Sequence, residues 1–412
     1  MRAYERFLEY AVYPTASNEE SESCPSTKKQ LKLAGALVKE LLELGLYDAR
    51  VDENGYVYAS LEKNCETDAP SIAFIAHLDT SPEASDENIT PIVTEYHGGD
   101  ILMNEKLGIY IRTSDYPYLS DYEGHHIIHS DGTTLIGADD KAGIAEILTA
   151  LEKIIDTGIP HGKICVAFTP DEEIGRGADL FNLESLNADY GYTVDGGAIG
   201  ELEYENFNAA SARVTVNGVS IHPGRAKGKM KNASAIASEF HAMLPSEETP
   251  EMTEGYEGFH HLISMKGEIE LASLNYIIRD HDMEKFKLKK AEFERLAEKI
   301  NKKYGEGTLI LEMRDSYYNM KERIEPCMYI VERARDAMLE CGITPVIVPI
   351  RGGTDGARLS FMGLPCPNLG TGGYAFHGPF EHISAEGMHA AVNMILGIVT
   401  KYASKKRQEL IG

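Results

Sequence analysis

Three short, mainly apolar segments place the strongest limit on the fold of this chain. They occupy residues 71–76, 163–168 and 188–194. Segments of this kind are typical of strands that are buried on both faces of a sheet. Between the first two, apolar residues recur on one helical stripe through 140–157. Strands that alternate with helices predict an α/β/α fold with a mostly parallel sheet.

The middle of the chain follows a different pattern. It has a strand-like run at 210–217, helical periodicity at 233–243, two strand-like runs within 263–279, an amphipathic Lys/Glu-rich helix at 284–303 and a strand-like run at 308–313. The order β-α-β-β-α-β makes a compact α+β unit. We therefore predict an inserted lid domain at 207–313, within a first domain made of 1–206 and 314–412.

Charge limits the partners of the chain. Among its 412 residues, 65 acidic residues outnumber 40 basic ones, so the formal net charge is −25. An acidic body repels phosphate backbones and anionic lipids, and we expect neither nucleic acid nor a membrane surface as a partner. No run of ~20 apolar residues is present, so no membrane-spanning helix is expected.

The six cysteines indicate the compartment. They are irregularly spaced, and no two form a Cys-x-x-Cys pair. Scattered thiols are typical of reducing compartments. The first ten residues mix charged and apolar side chains and lack the continuous apolar region of a secretory signal. We expect a cytoplasmic protein.

Polar groups that can bind metal follow each of the three apolar segments. His77 and Asp79 follow the first, the pair Glu172-Glu173 follows the second, and Asp195 follows the third. Because the carboxyl ends of parallel strands meet at one edge of a sheet, we expect these side chains to converge there. A metal-binding imidazole commonly donates its other N–H to a carboxylate, and Asp79 is placed to accept it from His77.

Two further segments supply candidate ligands. Asp139 stands just before a predicted helix, and His377 stands in a glycine-rich loop. Imidazole and carboxylate groups suit zinc, but five of them are too many for one catalytic ion that keeps an open position. They suit two ions that share one carboxylate. The five candidate ligands are His77, Asp139, Glu173, Asp195 and His377. Glu172 then remains as a base that binds no metal.

Each motif alone also has an ordinary structural explanation. An acidic pair is usually a solvated turn, and Asp139-Asp140 before a helix is typical of a helix cap. Asp195-Gly-Gly is typical of a turn. The functional interpretation depends on the occurrence of all these groups at strand ends across ~300 residues, as a single convergent site requires.

The motifs together resemble the M20 metallopeptidase family along essentially the whole chain. They are His77-Leu-Asp79-Thr, Gly137-Ala-Asp139-Asp140-Lys141, Pro170-Asp-Glu172-Glu173-Ile-Gly, Asp195-Gly-Gly and His377-x-x-x-Glu381. The resemblance implies two Zn²⁺ ions per subunit, with Co²⁺ or Mn²⁺ as alternative ions. It assigns His77 and Asp195 to one ion, Glu173 and His377 to the other, and Asp139 to both. It makes Glu172 the general base, with Asp79 orienting His77.

The same resemblance implies roles for two residues of the lid. His222, in Ser-Ile-His-Pro-Gly, would reach the substrate carbonyl or carboxylate, and Arg279 would bind the free carboxylate of the substrate. Ordinary alternatives are a turn for His222 and a surface charge for Arg279. His382 competes with His377 as a ligand, but His377 keeps the His-x-x-x-Glu spacing.

The function implied by the resemblance is removal of the N-terminal residue from tripeptides. Alternatives are another hydrolase of the family (a dipeptidase, a deacylase or a carboxypeptidase) or a non-catalytic zinc-binding relative. The intact Glu172 favours an enzyme. An exposed sheet edge in the lid would allow two copies to pair, so a homodimer is a further expectation.

Overall fold

The structure, a computed structural model, describes residues 1–404. Its helices are α1 (Ala3–Ala11), α2 (Gln30–Glu43), α3 (Ala138–Thr157), α4 (Leu183–Leu186), α5 (Ala233–Ala242), α6 (Met283–Tyr304), α7 (Lys321–Ile324), α8 (Tyr329–Glu340), α9 (Asp355–Met362) and α10 (Ala385–Ala403). Its strands are β1 (Arg50–Val51), β2 (Val57–Leu61), β3 (Ile72–His77), β4 (Ile92–Glu95), β5 (Ile101–Asn104), β6 (Ile109–Ile111), β7 (His126–His129), β8 (Ile164–Thr169), β9 (Tyr190–Val194), β10 (Glu201–Glu203), β11 (Asn208–Asn217), β12 (Phe259–Gly267), β13 (Leu271–Asp280), β14 (Leu309–Tyr317), β15 (Val346–Ile347), β16 (Asn368–Leu369), β17 (Gly373–Tyr374) and β18 (His382–Ser384). No helix within residues 1–404 is both long enough and apolar enough to cross a membrane.

Contacts divide the chain into two units. Unit 1 comprises Met1–Tyr204, Glu322–Val348 and the described residues from Thr354 onward. Unit 2 comprises Glu205–Lys321 together with Pro349–Gly353. The predicted lid boundaries, 207 and 313, fall inside unit 2, whose last strand runs on to Tyr317.

The three apolar segments form the centre of the main sheet of unit 1. They become β3, β8 and β9, which lie in the order β8-β3-β9 and run parallel. Every residue of β3 and β8 is buried, as expected for strands covered on both faces. Among the described residues this sheet has eight strands, in the order β1-β2-β8-β3-β9-β16-β10-β15. Antiparallel pairs join β1 to β2, β2 to β8 and β10 to β16.

Helices cover both faces of this sheet. On one face, α3 packs on β3 and β9 and also contacts α1 and α10. On the other face, α4 and α9 share one core cluster with β2, β3 and β8. Helix α2 contacts β2 and is joined to α1 by the ion pair between Glu40 and Arg6. Alternate residues of β3, Ala73 and Ile75, share a core cluster with Leu359 of α9. These layers confirm the predicted α/β/α fold.

A smaller sheet of unit 1 has the strand order β17-β18-β7-β4. In its register, His382 of β18 lies opposite His129 of β7. The loop between β17 and β18 contains His377. This sheet therefore anchors the segment on either side of that histidine.

Unit 2 is built on an antiparallel sheet with the strand order β12-β13-β11-β14. Alternate residues of β13 are buried, beginning with Ala272 and Leu274. They form one core with Phe240 of α5 and Phe293 of α6. The chain order β11-α5-β12-β13-α6-β14 is the predicted β-α-β-β-α-β order, so the prediction of a separate α+β domain is confirmed.

Candidate dinuclear metal centre

The candidate ligands of unit 1 gather where the central strands end. His77 is the last residue of β3, Glu173 follows β8, and Asp195 follows β9. Because β8, β3 and β9 are adjacent and parallel, the three segments leave the sheet at the same edge. Asp139 comes from the irregular start of α3, where its φ of −87° and ψ of 104° are not helical.

His77, Asp139 and Asp195 form one half of the cluster, which we call the first position. His77 Nε2 lies 2.8 Å from Asp139 Oδ1 and 3.6 Å from Asp195 Oδ1. The His77 side chain is 2% exposed. One imidazole nitrogen thus faces two carboxylate oxygens, a donor set that suits zinc.

Glu173, His377 and Asp139 form the other half, which we call the second position. His377 Nε2 lies 2.9 Å from Glu173 Oε2 and 3.4 Å from Asp139 Oδ2. The other oxygen of Glu173 is buried and has no hydrogen-bond partner among the described residues. The two oxygens of Asp139 therefore face different imidazoles, which is the arrangement that a carboxylate shared by two ions needs.

His382 lies apart from these carboxylates. Its ring stacks with those of Tyr118 and Tyr374, at centroid distances of 5.8 and 5.9 Å. Its Nδ1 lies 2.7 Å from the carbonyl oxygen of Phe380. Burial lowers the pKa of His382 to about 4. Of the two competing histidines, the structure brings His377 to the cluster.

Asp79 makes contacts on both sides of the cluster. Its carboxylate accepts hydrogen bonds from the backbone amides of Glu172 (3.0 Å) and Glu173 (3.2 Å). His77 Nδ1 lies 2.9 Å from the carbonyl oxygen of Asp79 and 3.4 Å from its carboxylate. A proton on Nδ1 would be donated mainly to that carbonyl, which leaves the Nε2 lone pair for a metal.

Glu172 lines a small pocket at the end of the sheet with His77, Asp195 and Asp355. Burial raises the pKa of the Glu172 carboxyl well above its usual range, and the charges of Asp355 and Asp195 raise it further. A carboxyl group with a raised pKa is suited to accept and return a proton near neutral pH.

The charges of the cluster fit a bound cation. Burial raises the pKa of Glu173 to about 7, and the Asp139 charge adds to this effect. Hydrogen bonds to Asp139 and Glu173 raise the pKa of His377 to about 11. Buried carboxylates this close repel one another, and positive charge among them offsets that repulsion.

Three buried carboxylates near the cluster were missed by sequence reasoning: Asp140, Asp355 and Glu381. Asp140 Oδ2 accepts the backbone amide of His77 (3.1 Å). Asp140 could also join His77 and Asp195 as a ligand, since the three bring ligand atoms within 4.8 Å of one another. The sequence signal for Asp140 was its position next to Asp139. The signal for Glu381 was its place in the His-x-x-x-Glu motif that begins at His377.

The two predicted substrate-binding residues belong to unit 2. His222 is exposed, and its Nδ1 accepts the backbone amide of Gly224 (3.2 Å), so it also has the turn role of the ordinary explanation. Arg279 Nη1 donates to the carbonyl oxygens of Ala210 (3.2 Å) and Ile278 (3.0 Å). The Arg279 guanidinium lies 5.3 Å from the centre of the Tyr317 ring. Their roles toward a substrate stay predictions.

Family models match two parts of the chain. A model described as a peptidase dimerisation domain matches residues 204–305, and one described as M42 glutamyl aminopeptidase matches residues 110–233. Among solved structures, aminopeptidase PepT from Bacillus cereus has a TM-score of 0.78 and 23% identity, with 98% of each chain covered. A dinuclear metal binding peptidase from the M20 family of Bacillus subtilis has a TM-score of 0.63 and 14% identity, with 97% of each chain covered. These two likenesses show the fold.

Full-length relatives are much closer in sequence. Peptidase T of Bacillus licheniformis is 52% identical over 403 residues, which cover 97% of this chain and 98% of that protein. Peptidase T of Clostridium perfringens is 55% identical over 406 residues, which cover 98% of this chain and all of that protein (100%). With identity above half over almost the whole length, the chain belongs to the peptidase T family of M20 peptidases.

Proposed function

We propose that this protein is a dinuclear-zinc aminopeptidase that removes the N-terminal residue from tripeptides. The observation that carries the proposal is the placement of Asp139, whose two oxygens lie 2.8 and 3.4 Å from the Nε2 atoms of His77 and His377. The names of the relatives, peptidase T, support the activity.

The chemistry would be shared between the ions and the protein. Two zinc ions, when bound, would polarise the peptide carbonyl and lower the pKa of a water molecule. Glu172 would take the proton of the attacking water and return it to the leaving amine. Asp79 holds the backbone amide of Glu172, which would keep this base at a fixed place. His222 would stabilise the negative charge that develops on the carbonyl oxygen.

Substrate length would be set by recognition of the free C-terminus. We assign this role to Arg279, whose guanidinium is steadied by two backbone carbonyls and the Tyr317 ring. A planar guanidinium suits a carboxylate because it can donate two parallel hydrogen bonds. A dipeptide or a tetrapeptide would present its carboxylate at a different distance from the scissile bond.

The proposal is tested with chelated protein that is reloaded with Zn²⁺, Co²⁺ or Mn²⁺ and assayed on trialanine. Dialanine, tetraalanine and N-acetylalanine serve as competing substrate classes. We expect metal-dependent release of N-terminal alanine from the tripeptide above all others. Preferred cleavage of the dipeptide or the N-acyl amino acid would instead identify a dipeptidase or a deacylase.

Two further features belong to the proposal. The six cysteines are free thiols in the structure, which supports a reducing, cytoplasmic setting. We also propose a homodimer formed through unit 2. Its sheet ends in β12 and β14, and a peptidase dimerisation model matches this part of the chain. Light scattering after size-exclusion chromatography measures the mass, and a monomer at micromolar concentration would contradict the dimer.

A further inference from the structure

A buried carboxylate with no part in the proposed chemistry lies beside the metal centre. Glu381 is 1% exposed. Its Oε2 accepts hydrogen bonds from the backbone amides of Ile136 (3.1 Å) and Gly137 (2.7 Å), and its Oε1 accepts one from the amide of Asp139 (2.9 Å). All three donors belong to the segment that delivers Asp139.

This segment needs an acceptor from elsewhere in the chain. Gly137 has a left-handed conformation (φ 73°, ψ 36°), and Asp139 is not helical, so the start of α3 is irregular. Amides that precede the first regular helical turn have no acceptor within the helix. Hydrogen bonds from amides to a carboxylate are charge-assisted and stronger than those between neutral groups. Glu381 therefore fixes the backbone that carries Asp139.

The same residue belongs to the loop that carries His377. Glu381 stands four residues after His377, between β17 and β18, and its own amide donates to the carbonyl oxygen of Gly378 (3.2 Å). His377 Nε2 in turn lies 3.4 Å from Asp139 Oδ2. The loop thus reaches the Asp139 segment both through an imidazole and through a carboxylate, although His377 and Asp139 are 238 positions apart in sequence.

We propose that Glu381 is a positioning residue that sets the spacing of Asp139 and His377, and with it the affinity of the second position for its ion. The inference rests on the proposed metal centre. Asp139 and His377 are two of the three ligands at the second position. At the first position, His77 and Asp195 leave neighbouring strands of the main sheet, so their spacing does not depend on this loop. Loss of the Glu381 carboxylate should therefore weaken the second position more than the first.

The test uses zinc binding to the chelated full-length protein, followed by isothermal titration calorimetry. Glu381→Gln keeps the side-chain volume but places an NH₂ group against a backbone amide donor. We expect two binding events in the wild type. We expect the second position to give the weaker event, because the His377 side chain is 40% exposed and that of His77 only 2%. In the variant, this weaker event should lose about 10- to 100-fold in affinity, while the tighter event changes several-fold at most.

Asp189→Asn is the matched control. Asp189 accepts the backbone amide of Ser71 (2.7 Å), which lies just before β3 at the end opposite His77. This variant should keep both binding events, and circular dichroism of both chelated variants should match that of the wild type.

The outcomes separate this inference from the proposed function. A wild type that binds no zinc would overturn both. A wild type that binds two ions, together with a Gln variant that binds both as tightly, would overturn only the role of Glu381. The role of Glu381 would also be overturned if the Gln variant lost zinc affinity equally at both positions, or if it did not fold. Equal losses of zinc affinity in the Asp189→Asn protein would overturn it too. In each case Glu381 would support the fold rather than the spacing of two ligands.

Discussion

The two halves of the candidate metal centre hold their histidines in very different ways. His77 ends a buried strand, is 2% exposed, and has its amide and its Nδ1 held by Asp140 and Asp79. His377 stands in a loop with a left-handed backbone (φ 63°) and is 40% exposed. Its Nδ1 lies 3.9 Å from Oε2 of Glu83, whose side chain is 71% exposed.

This difference indicates unequal binding of the two ions. A ligand that is fixed before binding loses less conformational freedom when the metal arrives. We therefore expect the first position to bind more tightly than the second. Asp139 contributes one oxygen to each half, so it couples them without making them alike.

The largest expected effect concerns the adjacent pair Glu172 and Glu173, where the base and a ligand of the second position meet. Glu172→Gln should lower kcat about 10³- to 10⁴-fold because it removes the proton acceptor. The protein should keep both ions, since Glu172 is not one of the five candidate ligands. Kinetics on trialanine and metal analysis of the same preparation measure the two quantities.

Glu173→Gln is the matched comparison for this pair. It should lose the ion of the second position and, with it, activity. If Glu172→Gln also lost an ion, the assignment of base and ligand within the pair would be reversed or shared.

A direct comparison of the histidines comes next in size. His77→Ala should weaken the tighter event on the order of a thousandfold, because loss of even an outer hydrogen-bond partner costs ~10- to 100-fold. His377→Ala should leave one tightly bound ion per chain and lose the other. Zinc calorimetry on chelated protein measures both events. His382→Ala should keep both ions, and loss of the second ion in that variant alone would make His382 the ligand.

The sequence predicts one half of this comparison better than the other for a physical reason. β3, β8 and β9 are buried on both faces, so they appear in the sequence as apolar segments. The polar residues that follow these segments can therefore be assigned to one edge of the sheet. His377 follows a two-residue strand in an irregular loop, and only its spacing to Glu381 identifies it.

What sequence reasoning missed is mostly long-range contact. Glu381 accepts hydrogen bonds from the backbone amides of residues more than 240 positions away. Asp140 accepts one from the amide of His77, 63 positions away. The periodicity of apolar residues along the chain reflects local helices and strands, so it does not predict such long-range hydrogen bonds. The assignment of Pro349–Gly353 to unit 2, just after the two-residue strand Val346–Ile347 of unit 1, also depends on such contacts. There Arg351 donates to backbone carbonyls of residues 253–257.

His382 provides a test of the contrast with His377, five residues earlier. Its pKa is about 4 in the folded state because of burial, against 6.5 for an ordinary histidine. Between these values the unfolded chain binds a proton that the folded chain does not, so stability should fall as pH decreases from ~6.5 toward 4. The loss should reach roughly 2–3 kcal/mol between pH 7 and about pH 4.5. Urea unfolding of the chelated protein measures it, and His382→Phe should remove this part of the pH dependence. An unchanged dependence in the Phe variant would mean that His382 is already protonated or exposed.

The smallest expected effect concerns Asp79. Its carboxylate accepts hydrogen bonds from the backbone amides of Glu172 and Glu173, as that of Glu381 does from the segment that carries Asp139. Asp79→Asn keeps one acceptor oxygen but turns an NH₂ group toward one of the two backbone amides. Because Glu172 then loses its fixed place, kcat at saturating zinc should fall about 10- to 100-fold, with both ions still bound. Asp189→Asn serves again as the control and should keep kcat. If Asp79→Asn instead lost the tighter ion and kept kcat once zinc was supplied in excess, Asp79 would act mainly through His77. In that case the two halves of the centre would differ only in how His77 and His377 are held. Groups other than Asp79 would then hold Glu172 in place.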